Sequence, residues 1–335
     1  MIDEAYELTE KELAALEKRI EKMYSEASKQ MSEVINEYFK NFEIRDKKYK
    51  AMVEAGEWTE EEYKQWRLAQ IGRGERFEDL RDKLAERIYK ANEVAAAYIN
   101  DATPGVYSLN RNYCAYTIEQ VAGDVGFTLW NEEAVRRALV EEPNLMPYYP
   151  QKRAVQRGID LAYSKQQITA SITSGILQGK SIGKIAKDLQ NRIEGMEKAS
   201  AVRSARTAMT SAQNGGRQDS YERAAQMGVK VRKRWVATKD MLTRHSHGEL
   251  DGQTVDFNKP FISILGSEMM FPGDAKGAKP ADLYNCRCRM RTVEKEGIEA
   301  EPRQMRVRDP KTGRNVLVNE MTYTEWQEWV KARGG

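Results

Sequence analysis

No proline precedes Pro104 in this 335-residue chain. Proline lacks a backbone N–H and clashes with the preceding helical turn, so a stretch of this length without one leaves the backbone free to form long helices. The apolar residues are spaced for them. Leu13, Leu16, Ile20, Met23, Ala27, Met31, Val34 and Tyr38 advance in steps of three or four, while Glu17, Lys18, Lys22 and Lys29 take the other face. A second stripe runs through Phe77, Leu80, Leu84, Ile88, Ala91, Ala95 and Tyr98. Between the two, Thr59 and Glu62 have the spacing of a capping box. These patterns predict a helical, partly extended region over residues 1–100, whose stripes need one another or a partner protein for burial.

Thr103-Pro104-Gly105 predicts a break, and Thr117 to Gln120 reads as another capping box. Asn131 is placed to cap a short helix reaching Leu139. Pro143, Pro147 and Pro150 mark a stiff connector. Helices are expected over 151–175, 181–192 (capped by Ser181) and 197–226, with Gly195 and the pair Gly215-Gly216 interrupting the last stretch. From Gly228 the period changes to two: Val229, Val231, Lys233 and Trp235 alternate with Lys230, Arg232 and Arg234, as in a half-buried strand. Further strands are expected at 254–257, 261–265 and 289–293. A hairpin follows, 305–308 with 315–318 turned by Pro310 to Gly313, and then a closing helix started by Thr324 with Trp326 and Trp329 on one side. The fold class is α+β, with a mostly helical N-terminal two-thirds and a small, loop-rich mixed α/β module after it. The expected divisions are 1–142 (extended helical region), 143–150 (connector), 151–227 (helical lead-in), 228–295 (module) and 296–335 (tail).

Composition removes several classes of function. No run approaches the roughly 18 consecutive apolar residues of a membrane-spanning helix, and the acidic start Met1-Ile2-Asp3-Glu4 is unlike a secretion signal. Three cysteines cannot build a disulfide framework, which suggests a reducing compartment. Lys plus Arg number 54 against 51 Asp plus Glu, a net +3. Residues 201–335 carry 24 basic and 17 acidic side chains, a local +7 that suits either an acidic partner or a solvated basic face. His245 and His247 are the only histidines, so mechanisms that need dispersed histidines are excluded.

Chemistry-bearing residues concentrate between Trp235 and Cys288. His245-x-His247 with Cys286-x-Cys288 could offer four donors to zinc. Ligand pairs only two apart leave no loop to wrap a tetrahedral ion, so the expected roles are structural: both cysteines buried on a strand, and His247 bonding a loop backbone. No metal, cofactor or catalytic residue is assigned. Glu299-Ala-Glu301 has the paired glutamates of an ADP-ribosyltransferase but lies in a polar linker with no partner motif. Gly179-Lys180-Ser181 lacks the upstream glycine of a phosphate-binding loop. Cys114, between aromatic and small residues, reads as packing. Trp58, Tyr63 and Trp66 read as core or as a docking face.

The ordered words in this region resemble the Mu F-like family of phage head morphogenesis, or minor head, proteins. The resemblance rests on Arg206-Thr207 leading to Asn214, then Trp235, Ala237, Thr238, Asp240, Thr243, Arg244, His247, Leu250, Asp251 and Gly252. Pro272-Gly273-Asp274 and Asn285-Cys286-Arg287-Cys288 complete it, and a Gly179 to Ala186 helix precedes it. It covers roughly residues 175–295. It implies a low-copy virion component at the portal vertex or capsid interior, assembled in the host cytoplasm and acting in head assembly or in DNA packaging and delivery. The partners it implies are the portal or the major capsid protein, with self-association open. Non-specific contact with packaged DNA would fall to Lys230, Arg232, Lys233 and Arg234, with Arg287, Arg289 and Arg291. Two other readings stay open: an effector enzyme (nuclease or ADP-ribosyltransferase-like) carried in the head, and a zinc-stabilised binding module.

Overall fold

A computed structural model of the protein describes residues 3–142, 145, 154–293, 305–308, 315–318 and 321–332. In chain order the elements are α1 (Glu4–Glu54), α2 (Glu60–Ile71), α3 (Glu75–Ala122), α4 (Glu132–Glu141), α5 (Ala154–Leu177) and α6 (Ile182–Gln226). Then come β1 (Arg232–Val236), α7 (His245–Leu250), β2 (Thr254–Asp256), β3 (Phe261–Ile262), β4 (Glu268–Met269), α8 (Pro280–Leu283) and β5 (Arg289–Val293). The pair β6 (Met305–Arg308) and β7 (Asn315–Val318) precedes α9 (Tyr323–Ala332). A helical N-terminal part and a small strand-containing C-terminal module are as the sequence predicts. The chain folds as two compact units, one of Glu17–Tyr98 with Gln151–Val202, the other of Met1–Leu16, Ile99–Pro150 and Arg203–Gly335.

The first of these is all helix. Met31, Ile35, Phe39 and Phe42 pack with Leu80, Leu84 and Ile88, with Ile168, Ile172 and Ile176, and with Ile185 and Leu189. The apolar stripes read from sequence therefore find one another within this unit. Each fully buried Leu or Ile contributes about 1.5–3 kcal/mol relative to an exposed one. Thr59 and Glu62 form the expected reciprocal cap of α2, at 3.2 and 2.8 Å. Inside the unit, buried Arg67 pairs with Asp46 at 3.0 Å and donates to the Lys180 carbonyl at 2.7 Å. The Tyr63 hydroxyl donates to the same Asp46. Tyr49 stacks on Trp58, their ring centroids 4.4 Å apart.

The other unit holds the module. Its antiparallel sheet has the order β2-β1-β5, with Arg234 opposite Thr254 on one side and Arg291 on the other. Trp235 and Met290 are fully buried with Tyr221, Phe261, Leu250 and Trp326. Burial alternates along β1: Arg232 and Arg234 are exposed, Lys233 and Trp235 buried.

Several local expectations change. Pro104 lies inside α3 and does not end it. Ile99, Thr103, Val106 and Tyr107 are all buried there, and the Thr103 hydroxyl donates to the Ile99 carbonyl at 3.0 Å. Tertiary packing holds the helix through a residue that would stop it in isolation. Thr117 is likewise interior to α3, its hydroxyl turned back to the Cys114 carbonyl. Gly195, Gly215 and Gly216 do not interrupt α6. At Gly216 the helix meets α3 so closely that a Cβ would strike the Tyr107 carbonyl oxygen, so glycine here is a contact requirement. The last helix is capped two residues earlier than expected, by Thr322 with Glu325. Asn131 caps α4 as expected, accepting from the Ala134 N–H at 2.8 Å. The two-residue strand β4 is too short to leave a period in the sequence. The connector prolines, Glu299, Glu301 and the hairpin's turn lie outside the described residues.

Candidate functional site

The module is built on one polar stripe of α6. Thr207, Thr210, Asn214 and Arg217 are spaced three, four and three apart, which puts them on one helical face, and all are buried. Buried polar groups need partners, and these find theirs in the backbone of 285–290. The Thr207 hydroxyl accepts from the Asn285 N–H at 3.0 Å, and the Thr210 hydroxyl donates to the Cys286 carbonyl at 2.6 Å. Asn214 donates to the Cys288 carbonyl and accepts from the Met290 N–H. Arg217 donates to the Met290 carbonyl at 2.8 Å and is neutralised by buried Asp3 at 2.8 Å. Burial works against the Asp3 charge, but Arg217 outweighs it and holds the carboxyl below its ordinary range. Pro272-Gly273-Asp274 closes over the same helix. Gly273 has φ +85°, and a Cβ there would press on the Ser211 backbone at 2.9 Å. Asp274 ties its own loop by accepting from the Met270 and Lys276 N–H groups.

The residues between 235 and 252 lock onto the same segment. Asp251 accepts from the Ala237 N–H at 3.0 Å, and Gly252 donates to the Trp235 carbonyl at 2.9 Å, fastening the turn to the end of β1. The Thr238 hydroxyl donates to the Arg287 carbonyl at 2.8 Å. Asp240 receives the Arg287 guanidinium at 2.6 and 2.7 Å and the Leu242 N–H at 2.9 Å. With Arg287 as the largest cause, the Asp240 carboxyl is held down to about 2. Thr243 bonds the Thr238 carbonyl and Arg244 the Tyr284 carbonyl. Arg206 is half-buried.

Asn285, with φ 60°, is the one described non-glycine residue in the left-handed region, which asparagine tolerates better than most. The chain turns there, and both cysteines follow it before β5 begins. They are buried, but in this turn and not on the strand. His247 does not bond a loop backbone either. Its Nδ1 lies 3.7 Å from Cys286 Sγ and 3.4 Å from Cys288 Sγ, and its Nε2 faces Asp282 Oδ1 at 3.6 Å. The three donor atoms all fall within 4.8 Å of one another. The neighbouring Cys286 and His247 hold the Cys288 thiol below its ordinary range, while Cys288 and burial raise Cys286. His245 points elsewhere, four-fifths exposed, because residues two apart on α7 do not share a face.

The basic residues separate into two groups. Lys230, Arg232, Arg234 and Arg291 are exposed. Arg287 is engaged with Asp240, and half-buried Arg289 lies over the Tyr6 ring, 3.8 Å from Asp3. Lys233 is inside the unit, donating to Gln218 Oε1 and the Met270 carbonyl at 3.0 and 2.7 Å. Burial pushes its amine down to about 7. Grouping it with surface cations ignored the two-residue period that places it beside Trp235.

Sequence reasoning missed Thr210, Arg217, Asp282 and Glu119. Thr210 and Arg217 carried a signal in their helical spacing from Thr207 and Asn214. Glu119 accepts from the Val125, Gly126 and Phe127 N–H groups in the loop that follows its helix, and from Trp326 Nε1, a partner too distant along the chain to foresee. Asp282 is held by Ser246 and Ser267 at 2.7 and 2.6 Å.

The family of Phage Mu protein F like proteins matches residues 166–291, the stretch that holds the motif residues from Arg206 to Cys288. Minor head protein GP7 of Bacillus phage SPP1 is 28% identical over 317 residues, which cover 94% of this chain and 93% of that protein. NAD(+)--arginine ADP-ribosyltransferase EFV of Enterococcus faecalis (strain ATCC 700802 / V583) is 30% identical over 227 residues. That match covers 65% of this chain but only 45% of the transferase. No solved structure matches the chain significantly. With the motif words in order and interlocked in one folded unit, residues 166–291 match the Phage Mu protein F like family, and the chain is similar along nearly its whole length to a phage minor head protein.

Proposed function

We propose that the chain is a structural component of a phage head, incorporated during head morphogenesis and kept in the virion, with residues 228–293 acting as a rigid hub. The observation that carries this reading is the near end-to-end similarity to the SPP1 minor head protein, 94% of one chain against 93% of the other. The site's chemistry supports it. The motif carboxylates are committed to holding the fold: Asp240 to Arg287, Asp251 to Ala237 and Lys239, Asp274 to its own loop, Asp282 to two serines. General acid–base work needs a group free to exchange a proton with a substrate, and these are spent. The outward, charged faces of the long helices would meet the portal or the coat, and the exposed Lys230, Arg232, Arg234 and Arg291 would lie against packaged DNA. The role involves no turnover of substrate.

Localising the chain in virions and in proheads by electron microscopy, with a mutant phage lacking its gene as control, tests the proposal. Density at the portal vertex or inner wall, and heads that fail to mature without it, are expected. Heads that assemble and infect normally without the chain would refute it. A second reading, an effector enzyme carried in the head, draws on the partial match to the arginine ADP-ribosyltransferase. It requires NAD consumption or nuclease activity by the purified chain that falls in His247→Ala.

A further inference from the structure

We propose that His247, Cys286 and Cys288 form a zinc site that fastens the end of the module to α7, with Asp282 as the carboxylate that orients the histidine. The distances are those a metal imposes. Zinc–sulfur bonds of about 2.3 Å and a zinc–nitrogen bond of about 2.0–2.1 Å, set at a tetrahedral angle, separate sulfur from nitrogen by about 3.6 Å. Here Nδ1 stands 3.7 and 3.4 Å from the two sulfurs. All three donor atoms lie within 4.8 Å of one another, close enough to face one cation.

The surroundings match what such a site requires. The ring's other nitrogen, Nε2, is buried without a hydrogen-bond partner and faces Asp282 Oδ1 at 3.6 Å. That carboxylate is itself fixed by Ser246 and Ser267. A carboxylate behind the metal-binding imidazole sets its tautomer and raises its basicity. The Cys288 N–H points at Cys286 Sγ from 3.5 Å, a donor that favours a thiolate there. Two thiolates and a neutral imidazole around a divalent zinc sum to no net charge, which lowers the cost of placing the ion among residues as buried as Trp235 and Met290. Binding takes both sulfurs as thiolates, releasing whatever thiol protons remain to solvent, and forms two sulfur–zinc bonds and one nitrogen–zinc bond. Among the described residues these three are the donors that converge, so the fourth position falls to water or a small anion.

The positions explain what the ion would do. His247 is on α7, in the segment that Asp251 and Gly252 fasten to β1, and the cysteines precede β5. The ion therefore ties the two flanks of the central strand pair in a module with little regular structure between them.

The test uses the full chain purified without chelators. One zinc per chain by elemental mass analysis is expected. Replacement by cobalt should give the near-ultraviolet absorption of sulfur-to-cobalt charge transfer. Zinc should also protect Cys286 and Cys288 from alkylation in the folded protein, relative to the chelator-treated form. Cys288→Ser and His247→Ala should each lose the ion, and Asp282→Asn, which keeps all three donors, should weaken zinc binding about 10–100-fold. Far-ultraviolet circular dichroism reports whether each variant folds. If the variants unfold, the wild-type cobalt spectrum decides alone. A folded wild-type chain that takes up neither metal, a cobalt spectrum with no sulfur band, or equal zinc in a Cys286→Ser, Cys288→Ser double variant would overturn the proposal and leave a thiol–imidazole hydrogen bond.

Discussion

The Asp240 carboxylate grips the Arg287 guanidinium through both oxygens, at 2.6 and 2.7 Å, joining residues 47 positions apart. The same Asp240 caps the Leu242 N–H, and Thr238 bonds the carbonyl of Arg287. One acidic side chain thus registers the loop after β1 against the loop before β5. Planar, two-point pairing of this kind carries geometric specificity that a lysine at 287 would not reproduce.

The pair gives a pH signature. The Asp240 carboxyl titrates at about 2 in the folded protein against 3.8 ordinarily. A depressed carboxylate contributes stability that is complete above the unfolded value and is lost as pH falls through the folded one. Thermal unfolding of the wild type and Asp240→Asn should differ near neutrality. The difference should shrink from pH 4 downward and close near pH 2. A gap independent of pH over that window would mean the ion pair contributes nothing.

Glycines inside α6 give the next prediction, with opposite signs at two sites. Gly216→Ala would drive a Cβ into the Tyr107 carbonyl and should destabilise by about 1–3 kcal/mol, the usual cost of overpacking. Gly195 is exposed and helical, and a Cβ there would meet nothing within 4 Å, so Gly195→Ala should stabilise by about 0.4–1 kcal/mol. Urea unfolding of both single variants reads the two signs directly. Loss of stability at Gly195 would show that the helix needs glycine there too.

Those two glycines also mark where the sequence was legible and where it was not. The apolar stripe from Leu16 to Tyr38 and the cap at Thr59 could be read because each depends on neighbours within a few residues. The two-residue period from Val229 to Trp235 was readable for the same reason. Pro104 and Gly216 carry local signals that say stop, and burial against distant residues overrides both. At the site, the motif residues could be found through their resemblance to a family, but not what each holds. That Asn214 satisfies the backbone on both sides of Arg289, or that His247 faces two sulfurs and a carboxylate, depends on contacts across many residues. His-x-His suggested a pair, and the short helix α7 separates it.

Lys233 supplies a third prediction. Burial is the largest cause of its fall to about 7 from 10.5, with Glu222 and Asp274 pulling the other way. Between those values the unfolded chain holds a proton that the folded chain does not, so folding stability rises with pH across that window, by up to about 1.4 kcal/mol per unit from this group. Below pH 7 both states are charged and the contribution is flat. Urea titrations of wild type and Lys233→Met from pH 6 to 10 should give a difference that moves in the wild type's favour as pH rises. Parallel curves would mean that the amine stays charged inside the fold.

Arg234 and Arg291 face each other directly across the β1–β5 ladder, like charges at adjacent positions on an exposed face. Such a pairing destabilises a sheet by a few tenths to about 1 kcal/mol unless an anion lies over it. Arg234 is steadied by Thr254 Oγ1 at 3.0 Å, and Arg232 lies 3.6 Å from Asp256 at the strand's other end. If this face meets packaged DNA, the contacts are with phosphates and are indifferent to sequence. Each one released should lower the slope of log affinity against log salt by about 1. Arg234→Ala and Arg291→Ala should each do so, equally on duplexes of different sequence. Arg287→Ala should leave the slope alone, because that guanidinium is held by Asp240. Removing the like-charge pair should at the same time leave stability unchanged or slightly raised. Retardation of duplex DNA by the full chain across a salt series measures the slope, and an Arg287 variant that loses as much as the Arg291 variant would move the phosphate contacts off the sheet face and onto the loop before β5.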